Sequence, residues 1–306
     1  MREIIGHGGI LSAFDRLIAA DRLAHAYLLA GPAHVGKATV AAWLAARLLC
    51  TASGRLPCGQ CDACTAVARG VHPDVLRLSE TDVLAVERVR EWTSSLTRSA
   101  LFAGWKIGIV EGAEQMQGAS ANACLKSIEE PTPRTVILLT ASNRRAVLPT
   151  IASRCAVVAC NRPPRTALAA ALVGRGASRA DAEALVALAD GCPGRALTLM
   201  AEPATREAQE QRRALARAMT SGTLADRLRH VESFVRALPE DHRDAAAEAM
   251  VLMRECRAIA RAAVPTLRAS DGWIRWQRIL ARAPQDLAAN VTARLLLETI
   301  AVASPS

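Results

Sequence analysis

Lysine is scarce in this chain of 306 residues. Only three of its 38 basic residues are lysines, Lys37, Lys106 and Lys126, so the surroundings of each deserve inspection. Aromatic residues are also few, at 3% of the chain, while alanine and leucine dominate, which favours helices. No apolar run approaches the roughly 20 residues of a membrane span, and no basic-then-apolar leader opens the sequence. We therefore expect a cytoplasmic protein without a membrane span.

The composition is that of a globular protein, with 51% hydrophobic and 22% charged residues. The length is enough for two or three domains. A net charge of +9 is compatible with nucleic acid or an acidic partner, although basic surfaces are often merely solvated. In a cytoplasmic chain, the nine cysteines are expected to be thiols or metal ligands rather than disulfides.

The stretch from Tyr27 to Thr39 has the pattern of a phosphate-binding loop. A short apolar run predicts a strand that ends at Gly31, and Gly36 and Lys37 then open an alanine-rich helical stretch. In such a loop the backbone N–H groups and the helix N-terminus hold the anion, and the lysine reaches the outer phosphates. We therefore predict a phosphate loop, with an ordinary strand–turn–helix as the alternative.

Two parts of a working ATP site are missing. The pattern requires Ser or Thr directly after the lysine to hold magnesium, but Ala38 stands there, and Thr39 lies about 100° further around the helix. The second predicted buried strand, at 106–110, would end in adjacent acidic residues in a P-loop ATPase. Here it ends in Glu111-Gly112, and Glu114 is too far along to replace the second carboxylate. The loop is thus predicted to be degenerate.

Four cysteines follow the phosphate-loop helix, with the spacing C-x7-C-x2-C-x2-C. Cys50, Cys58, Cys61 and Cys64 lie within 15 residues, in a segment that also contains glycine and proline. This spacing predicts a structural zinc site in which protein fills all four positions, leaving none for a catalytic water. An iron–sulfur site and four unliganded thiols are the alternatives.

The order of the predicted elements divides the chain into three parts. Apolar runs at 27–30, 72–78, 106–110, 135–140 and 156–160 predict strands that alternate with helices, hence a parallel sheet. From residue 161 onward the pattern is helical, with breaks predicted at Pro239, Pro265 and Pro284. We expect domains at 1–160, with the cysteine insert at 50–64, then at 161–203 and at 204–306.

Five features in order resemble the bacterial clamp-loader AAA+ subunits of the DNA polymerase III holoenzyme. The resemblance is specific over about the first 200 residues, and later residues match only in helical character. Within that family the chain is most similar to the delta-prime branch, because Ala38 and Glu111-Gly112 replace residues that the gamma/tau motor subunit keeps. The features are His25-Ala26-Tyr27-Leu28-Leu29, the four-cysteine insert, Asn122 to Pro131, Ser153-Arg154-Cys155 and Gly191 to Arg195.

The resemblance implies a fold and a role. The fold would be a RecA-like AAA+ P-loop domain with a parallel sheet, a helical lid and a C-terminal helical collar that mediates oligomerisation. The role would be that of a non-hydrolysing subunit in a five-subunit ring with gamma/tau and delta, which loads the sliding clamp on primed DNA. Arg154 would reach a neighbour's ATP as an arginine finger, and this chain would bind ATP weakly or not at all. A surface salt bridge is the alternative reading of Arg154.

Other residues acquire roles from the same resemblance. Lys126 and Thr150 match positions that face DNA inside the ring, although Lys126 could instead pair with Glu129 or Glu130 on its own helix. Arg195 matches a position in the lid that senses nucleotide, with a structural ion pair as the alternative. Ser142 and Asn143, which follow the predicted strand at 135–140, are weaker candidates for polar sensing of the nucleotide.

Two other functions compete with this interpretation. The first is an active ATPase motor of the same ring, of the gamma/tau type, in which Thr39 or water replaces the missing magnesium ligand. Ala38 and Gly112 argue against it. The second is an unrelated zinc-bearing DNA-repair or kinase-like NTPase, and Ser153-Arg154-Cys155 together with the cysteine insert argues against it.

Overall fold

A computed structural model describes residues 4–304, apart from residues 55, 80–85, 103, 117, 264–270 and 290. The chain forms two compact units, Met1–Leu197 and Thr198–Ser306. The three-domain division at 160/161 and 203/204 stays a prediction. In the described part of the chain, no helix is both long and apolar enough to cross a bilayer.

A five-stranded parallel sheet forms the centre of the first unit. Its strands are β1 (Ala26–Ala30), β2 (Val75–Leu78), β3 (Lys106–Val110), β4 (Thr135–Ala141) and β5 (Ala156–Ala159), in the spatial order β2-β3-β4-β1-β5. The predicted parallel sheet is therefore confirmed. β2 begins three residues later than predicted, because residues 72–75 form a turn in which the Val75 N–H bonds the His72 carbonyl at 3.0 Å.

Helices cover both faces of this sheet. The helices that precede β5 are α1 (Gly8–Ala19), α2 (Lys37–Leu49), α3 (Asp62–Arg69), α4 (Val86–Leu96), α5 (Gly118–Glu129) and the short α6 (Pro149–Ala152). Along β4, Val136 and Leu138 pack into the core that α1, α2 and α3 share, whereas Ile137 and Leu139 pack into the core with α4, α5 and α6. β1, β3 and β4 read as continuous, mostly apolar runs because both of their faces are buried.

Three further helices follow β5 in this stretch of the chain: α7 (Arg165–Val173), α8 (Arg179–Leu188) and α9 (Pro193–Ala201). The predicted turn at 191–195 is present, since Gly191 has φ +71° and α9 begins two residues later. The boundary between the two units falls inside α9.

The second unit is helical in its described residues. It contains α10 (Pro203–Thr220), α11 (Leu224–Arg236), α12 (His242–Ala263), α13 (Asp271–Ala288) and α14 (Ala293–Ala303). Their apolar faces meet in one core around Trp276, whose indole N–H donates to the Ile300 carbonyl at 3.1 Å. The buried Arg227 donates to the Ala301 and Ser304 carbonyls and so satisfies the C-terminal end of α14.

The predicted helix break at Pro284 is wrong. Pro284 lies inside α13, although a proline removes one intrahelical hydrogen bond. The carbonyl that would have accepted that bond belongs to Leu280, and the Arg257 guanidinium of α12 donates to it, with Nε at 2.6 Å. The predicted break at Pro239 falls between α11 and α12 and is confirmed, whereas Pro265 lies outside the described residues.

Candidate functional site

The phosphate loop lies at the carboxyl end of β1, between the ends of β4 and β5. Its first glycine is required by a close approach, since a Cβ at Gly31 would lie 2.0 Å from the Cys160 carbonyl oxygen. Gly36 has φ +109°, a conformation that side chains rarely adopt, and α2 begins at the next residue. The strand, loop and helix therefore have the predicted order, at the sheet edge where α/β proteins usually bind ligands.

Lys37 turns back onto the loop that contains it. Its ammonium donates to the carbonyls of Gly31 and Pro32, both at 2.8 Å. Ala38 follows with a methyl side chain, so the loop has no hydroxyl at the position that usually holds magnesium, and Thr39 is partly buried one residue further along α2. The loop thus keeps its lysine but holds it with backbone oxygens of the chain itself.

Two contacts that the sequence did not reveal fix the loop from outside. The ring nitrogen Nε2 of the buried His7 lies 2.9 Å from the Val35 carbonyl oxygen. From α9, the Gly194 N–H donates to the His34 carbonyl at 2.8 Å. Arg195 comes directly after Gly194, so the structure places it in the first turn of a helix that contacts the loop.

The end of β3 lacks the pair of carboxylates that activates water in P-loop ATPases. Gly112 occupies the second position with φ +71°, and its N–H donates to Thr140 Oγ1 at 3.3 Å. Glu114 Oε1 accepts the Ser142 N–H at 2.8 Å, so this oxygen is bonded to the end of the neighbouring strand β4. The amide oxygen of Asn143 accepts the Ala146 N–H at 3.0 Å, so Asn143 caps a local turn.

The four predicted cysteines come together in one cluster. The four Sγ atoms lie within 4.8 Å of one another, with Cys50 to Cys61 at 3.9 Å and Cys58 to Cys64 at 4.0 Å. Tetrahedral zinc with Zn–S bonds of about 2.3 Å separates its sulfurs by about 3.8 Å. These distances fit a tetrahedral metal site, and Cys50 contributes to it from the residue that follows α2.

Backbone N–H groups in the same segment stabilise thiolates. The N–H groups of Cys61 and Gln60 lower the pKa of Cys58, and those of Cys64 and Thr51 lower the pKa of Cys61 to about 6. Burial has the opposite effect on Cys64, whose pKa rises to about 12. A bound cation would overcome that last effect, since a coordinating thiol is deprotonated.

Arg154 lies two residues before β5, at the amino end of that strand, whereas the phosphate loop lies at the carboxyl end of β1. Its Nε forms an ion pair with Glu129 Oε1 at 2.5 Å, and its Nη1 donates to the Thr150 carbonyl at 3.0 Å and to Ser153 Oγ at 3.4 Å. The Arg154 side chain is 43% exposed despite these contacts. The sequence did not reveal Glu129 as its partner, because 25 residues separate the two.

The strand after Arg154 is exposed and apolar. β5 pairs with β1 on one side only, and its sequence is Ala-Val-Val-Ala. Ala156, Val157 and Ala159 are exposed, Val157 to 40%. Exposed apolar sheet edges are normally covered or blunted by charge, so this edge has the character of a contact surface.

The three lysines have three different environments. Lys106 is buried and donates to the carbonyls of Ser95, Arg98 and Ser99, so it caps the end of α4. Lys126 is exposed on α5, and within the described residues it forms an ion pair with neither Glu129 nor Glu130; Glu129 is paired with Arg154 instead. Thr150 is also exposed.

Comparison with known proteins gives a consistent picture. A family model described as DNA polymerase III, delta subunit, matches residues 6–163. The chain is 42% identical over 180 residues to DNA polymerase III subunit delta′ of Pseudomonas aeruginosa, covering 56% of this chain and 54% of the relative. It is 38% identical over 135 residues to subunit delta′ of Haemophilus influenzae, covering 44% and 41%. The chain thus spans about half the length of the Pseudomonas relative and less than half of the Haemophilus relative.

More distant similarity extends to other subunits and to a solved structure. The chain is 29% identical over 154 residues to subunit tau of Escherichia coli, covering 50% of this chain and 24% of the relative. The crystal structure of a DNA polymerase III gamma subunit-related protein from Thermotoga maritima superposes with a TM-score of 0.53 at 17% identity, covering 94% of this chain and 97% of that one. This likeness shows a shared fold of the AAA+ type.

Proposed function

The chain belongs to the DNA polymerase III delta-subunit family, and we propose that it serves a clamp loader as a subunit that does not hydrolyse ATP itself. In this role it completes the ATP site of a neighbouring gamma/tau subunit with Arg154. The proposed partners are gamma/tau and delta subunits in a five-subunit ring, the sliding clamp and primer-template DNA.

The chain's own phosphate loop supports a non-hydrolysing role. Lys37 bonds two backbone carbonyls of the loop, Ala38 supplies no ligand for magnesium, and Gly112 supplies no carboxylate for an attacking water. P-loop catalysis depends on positioning and on charge stabilisation by these groups. With both missing, the loop retains at most weak nucleotide binding, to which Arg195 would contribute through the first turn of α9.

One observation carries the positive part of the proposal: Arg154 is exposed beside an apolar sheet edge. Its Nη2 makes no hydrogen bond within the described part of the chain, and the exposed face of β5 follows directly. A guanidinium at a subunit boundary can reach the phosphates of a nucleotide held next door, where it stabilises developing charge. Such an arginine has little to act on in a chain whose own ATP site is degenerate.

The cysteine cluster is proposed to hold one structural zinc ion. All four ligands come from the protein, so the metal would fix the segment after α2 and would take no part in ATP chemistry. Lys126 and Thr150 are proposed to face the DNA backbone, since both are exposed and Lys126 keeps its charge uncompensated within the described residues.

The gamma/tau-type motor remains the second candidate, because tau of Escherichia coli is also similar to this chain. Purified chain that turns ATP over steadily, with turnover abolished by Lys37→Ala, would establish the motor and contradict our proposal.

The test of the proposal is the ATPase of a ring reconstituted with Arg154→Ala. The rate at the neighbouring site is expected to fall by about 10³, the lower end of what an arginine finger supplies. Because a ring has several sites, the pre-steady-state burst of ATP hydrolysis is the right measurement, and it should lose the share of one site. Arg154→Lys is expected to fail largely as well, since an ammonium lacks the planar fork of guanidinium. An unchanged burst at equal ring assembly would return Arg154 to a surface salt bridge.

A further inference from the structure

The contacts of Arg154 use two of the three nitrogens of its guanidinium, Nε and Nη1. Glu129 Oε1 lies 2.5 Å from Nε, and the Thr150 carbonyl accepts from Nη1 at 3.0 Å. Nη2 has no hydrogen bond to any described residue, so its two N–H groups are available to an acceptor outside the chain.

The contacts come from two elements that flank the arginine. Glu129 is the last residue of α5, and Thr150 is in α6, one turn before Arg154. A long side chain such as arginine loses rotamer freedom when it is fixed, and that cost falls on whichever process fixes it. Here the chain fixes the guanidinium before any neighbour is present.

We propose that Glu129 is a positioning residue for Arg154, holding the guanidinium so that its Nη2 edge is presented to the neighbouring subunit's nucleotide. This inference rests on the proposed role of Arg154 as an arginine finger. It assigns Glu129 no contact with the nucleotide, and its effect passes through the orientation of Arg154.

Stability does not account for the ion pair. The two side chains are 43% and 45% exposed, and ion pairs so exposed to water contribute little to folding. Orientation is a different matter, because a small misplacement of a catalytic group can lower a rate by orders of magnitude. The carboxylate is also a better anchor than a neutral acceptor, since charge-assisted contacts are shorter and stronger.

The opposite role would be restraint, in which Glu129 keeps Arg154 away from the neighbour until the ring closes. The two roles predict opposite signs. If Glu129 positions the arginine, its removal slows hydrolysis at the neighbouring site. If Glu129 restrains the arginine, its removal accelerates basal hydrolysis.

The experiment compares rings reconstituted with Glu129→Ala, Glu129→Gln and Glu130→Ala. Glu130 is the matched control, because it is the adjacent exposed carboxylate and forms no ion pair with Arg154. Glu129→Ala is expected to lower the burst rate constant at the neighbouring site about tenfold, with the ATP concentration for half-maximal burst unchanged. Glu129→Gln keeps an oxygen near Nε and should fall between wild type and Glu129→Ala, and Glu130→Ala should match wild type.

Combination with Arg154→Ala separates positioning from structural damage. On that background Glu129→Ala should cause no further loss, because its effect requires the arginine. Equal melting temperatures of the variant chains confirm that folding is intact, and Glu129→Gln serves if Glu129→Ala folds poorly.

The outcomes distinguish this inference from the proposed function. A normal rate with Glu129→Ala, in an assay where Arg154→Ala lowers the rate, overturns the positioning role and leaves the arginine finger standing. A higher rate with Glu129→Ala also overturns it, in favour of restraint. A normal rate with Arg154→Ala overturns the proposed function, and the inference about Glu129 with it.

Discussion

The phosphate loop and the region around Arg154 each contain one positively charged side chain, and the two side chains have opposite environments. Lys37 sits at the carboxyl end of β1, and two carbonyls of its own loop accept from its ammonium. Arg154 sits at the amino end of the adjacent strand β5, and its Nη2 finds no acceptor in the described chain. The lysine of the first site is satisfied internally, whereas we propose that the second site is completed by a neighbouring subunit. Under that proposal, the fold has lost its own ATP chemistry and keeps the residue that a neighbour uses.

The largest effect on the phosphate loop is expected from a substitution that disturbs its backbone. Gly31→Ala places a methyl group 2.0 Å from the Cys160 carbonyl oxygen, so β1 and β5 must separate. We expect the free energy of unfolding to fall by about 3 to 5 kcal/mol, measured by urea denaturation. Gly9→Ala is the control, because nothing lies within 4 Å of its Cβ and alanine favours helix α1. Equal stability of the two variants would show that the loop does not approach Cys160 so closely.

Loss of the proposed zinc site should destabilise the segment after α2 and leave the surroundings of Arg154 intact. Cys61→Ala is expected to lower the free energy of unfolding by on the order of 3 kcal/mol, because a structural metal contributes directly to folding. Elemental analysis of protein purified without chelator should give about one zinc per chain. Cys192→Ala, which removes a buried thiol outside the cluster, is the control and should leave the metal content unchanged. Iron, or the absence of any metal, would contradict the zinc assignment.

Lys37→Ala and Arg154→Ala form a reciprocal pair. Loss of Lys37 removes two hydrogen bonds to the loop, and we expect about 1 to 2 kcal/mol of destabilisation with no effect on hydrolysis by the neighbour. Loss of the half-exposed Arg154 should cost at most about 1 kcal/mol of stability while abolishing the neighbour's hydrolysis. Thermal melts and ring ATPase measure the two effects. The comparison fails if Lys37→Ala lowers the neighbour's rate as strongly as Arg154→Ala does.

The smallest expected effect concerns DNA. Lys126→Ala removes one exposed positive charge, and if it contacts a phosphate the salt dependence of ring binding to primer-template should weaken by about one unit of slope. Fluorescence anisotropy over a range of salt concentrations measures this. Thr150→Ala, which changes no charge, should lower affinity without altering the slope. An unchanged slope with Lys126→Ala would remove it from the DNA interface.

Local patterns in the sequence predicted most of the fold and of the phosphate loop. The apolar runs predicted five strands, of which β1, β3 and β4 are buried on both faces, and Gly31, Gly36 and Lys37 are close in sequence. The cysteine cluster was predictable for the same reason. Spacing along the chain carried the information in each case.

Contacts between distant residues escaped prediction. His7 on the Val35 carbonyl and Glu129 on Arg154 join residues 28 and 25 positions apart, and neither has a local signature. The ion pair of Lys126 with Glu129 or Glu130 that helix spacing suggested is absent among the described residues. Glu129 pairs with the distant Arg154 instead, so at this carboxylate a tertiary partner replaced the local one.

Pro284 removes one hydrogen bond within α13 and thereby allows a hydrogen bond between α13 and α12. With an N–H at position 284, α13 would use the Leu280 carbonyl for its own hydrogen bond, and Arg257 of α12 would find no acceptor there. The proline leaves that oxygen without an intrahelical partner on the side of α13 where α12 packs. The hydrogen bond from Arg257 therefore fixes the position of α12 along α13. Replacing Pro284 by alanine would restore the internal hydrogen bond. α13 would then be a more stable helix by itself, but its position relative to α12 would be less firmly fixed.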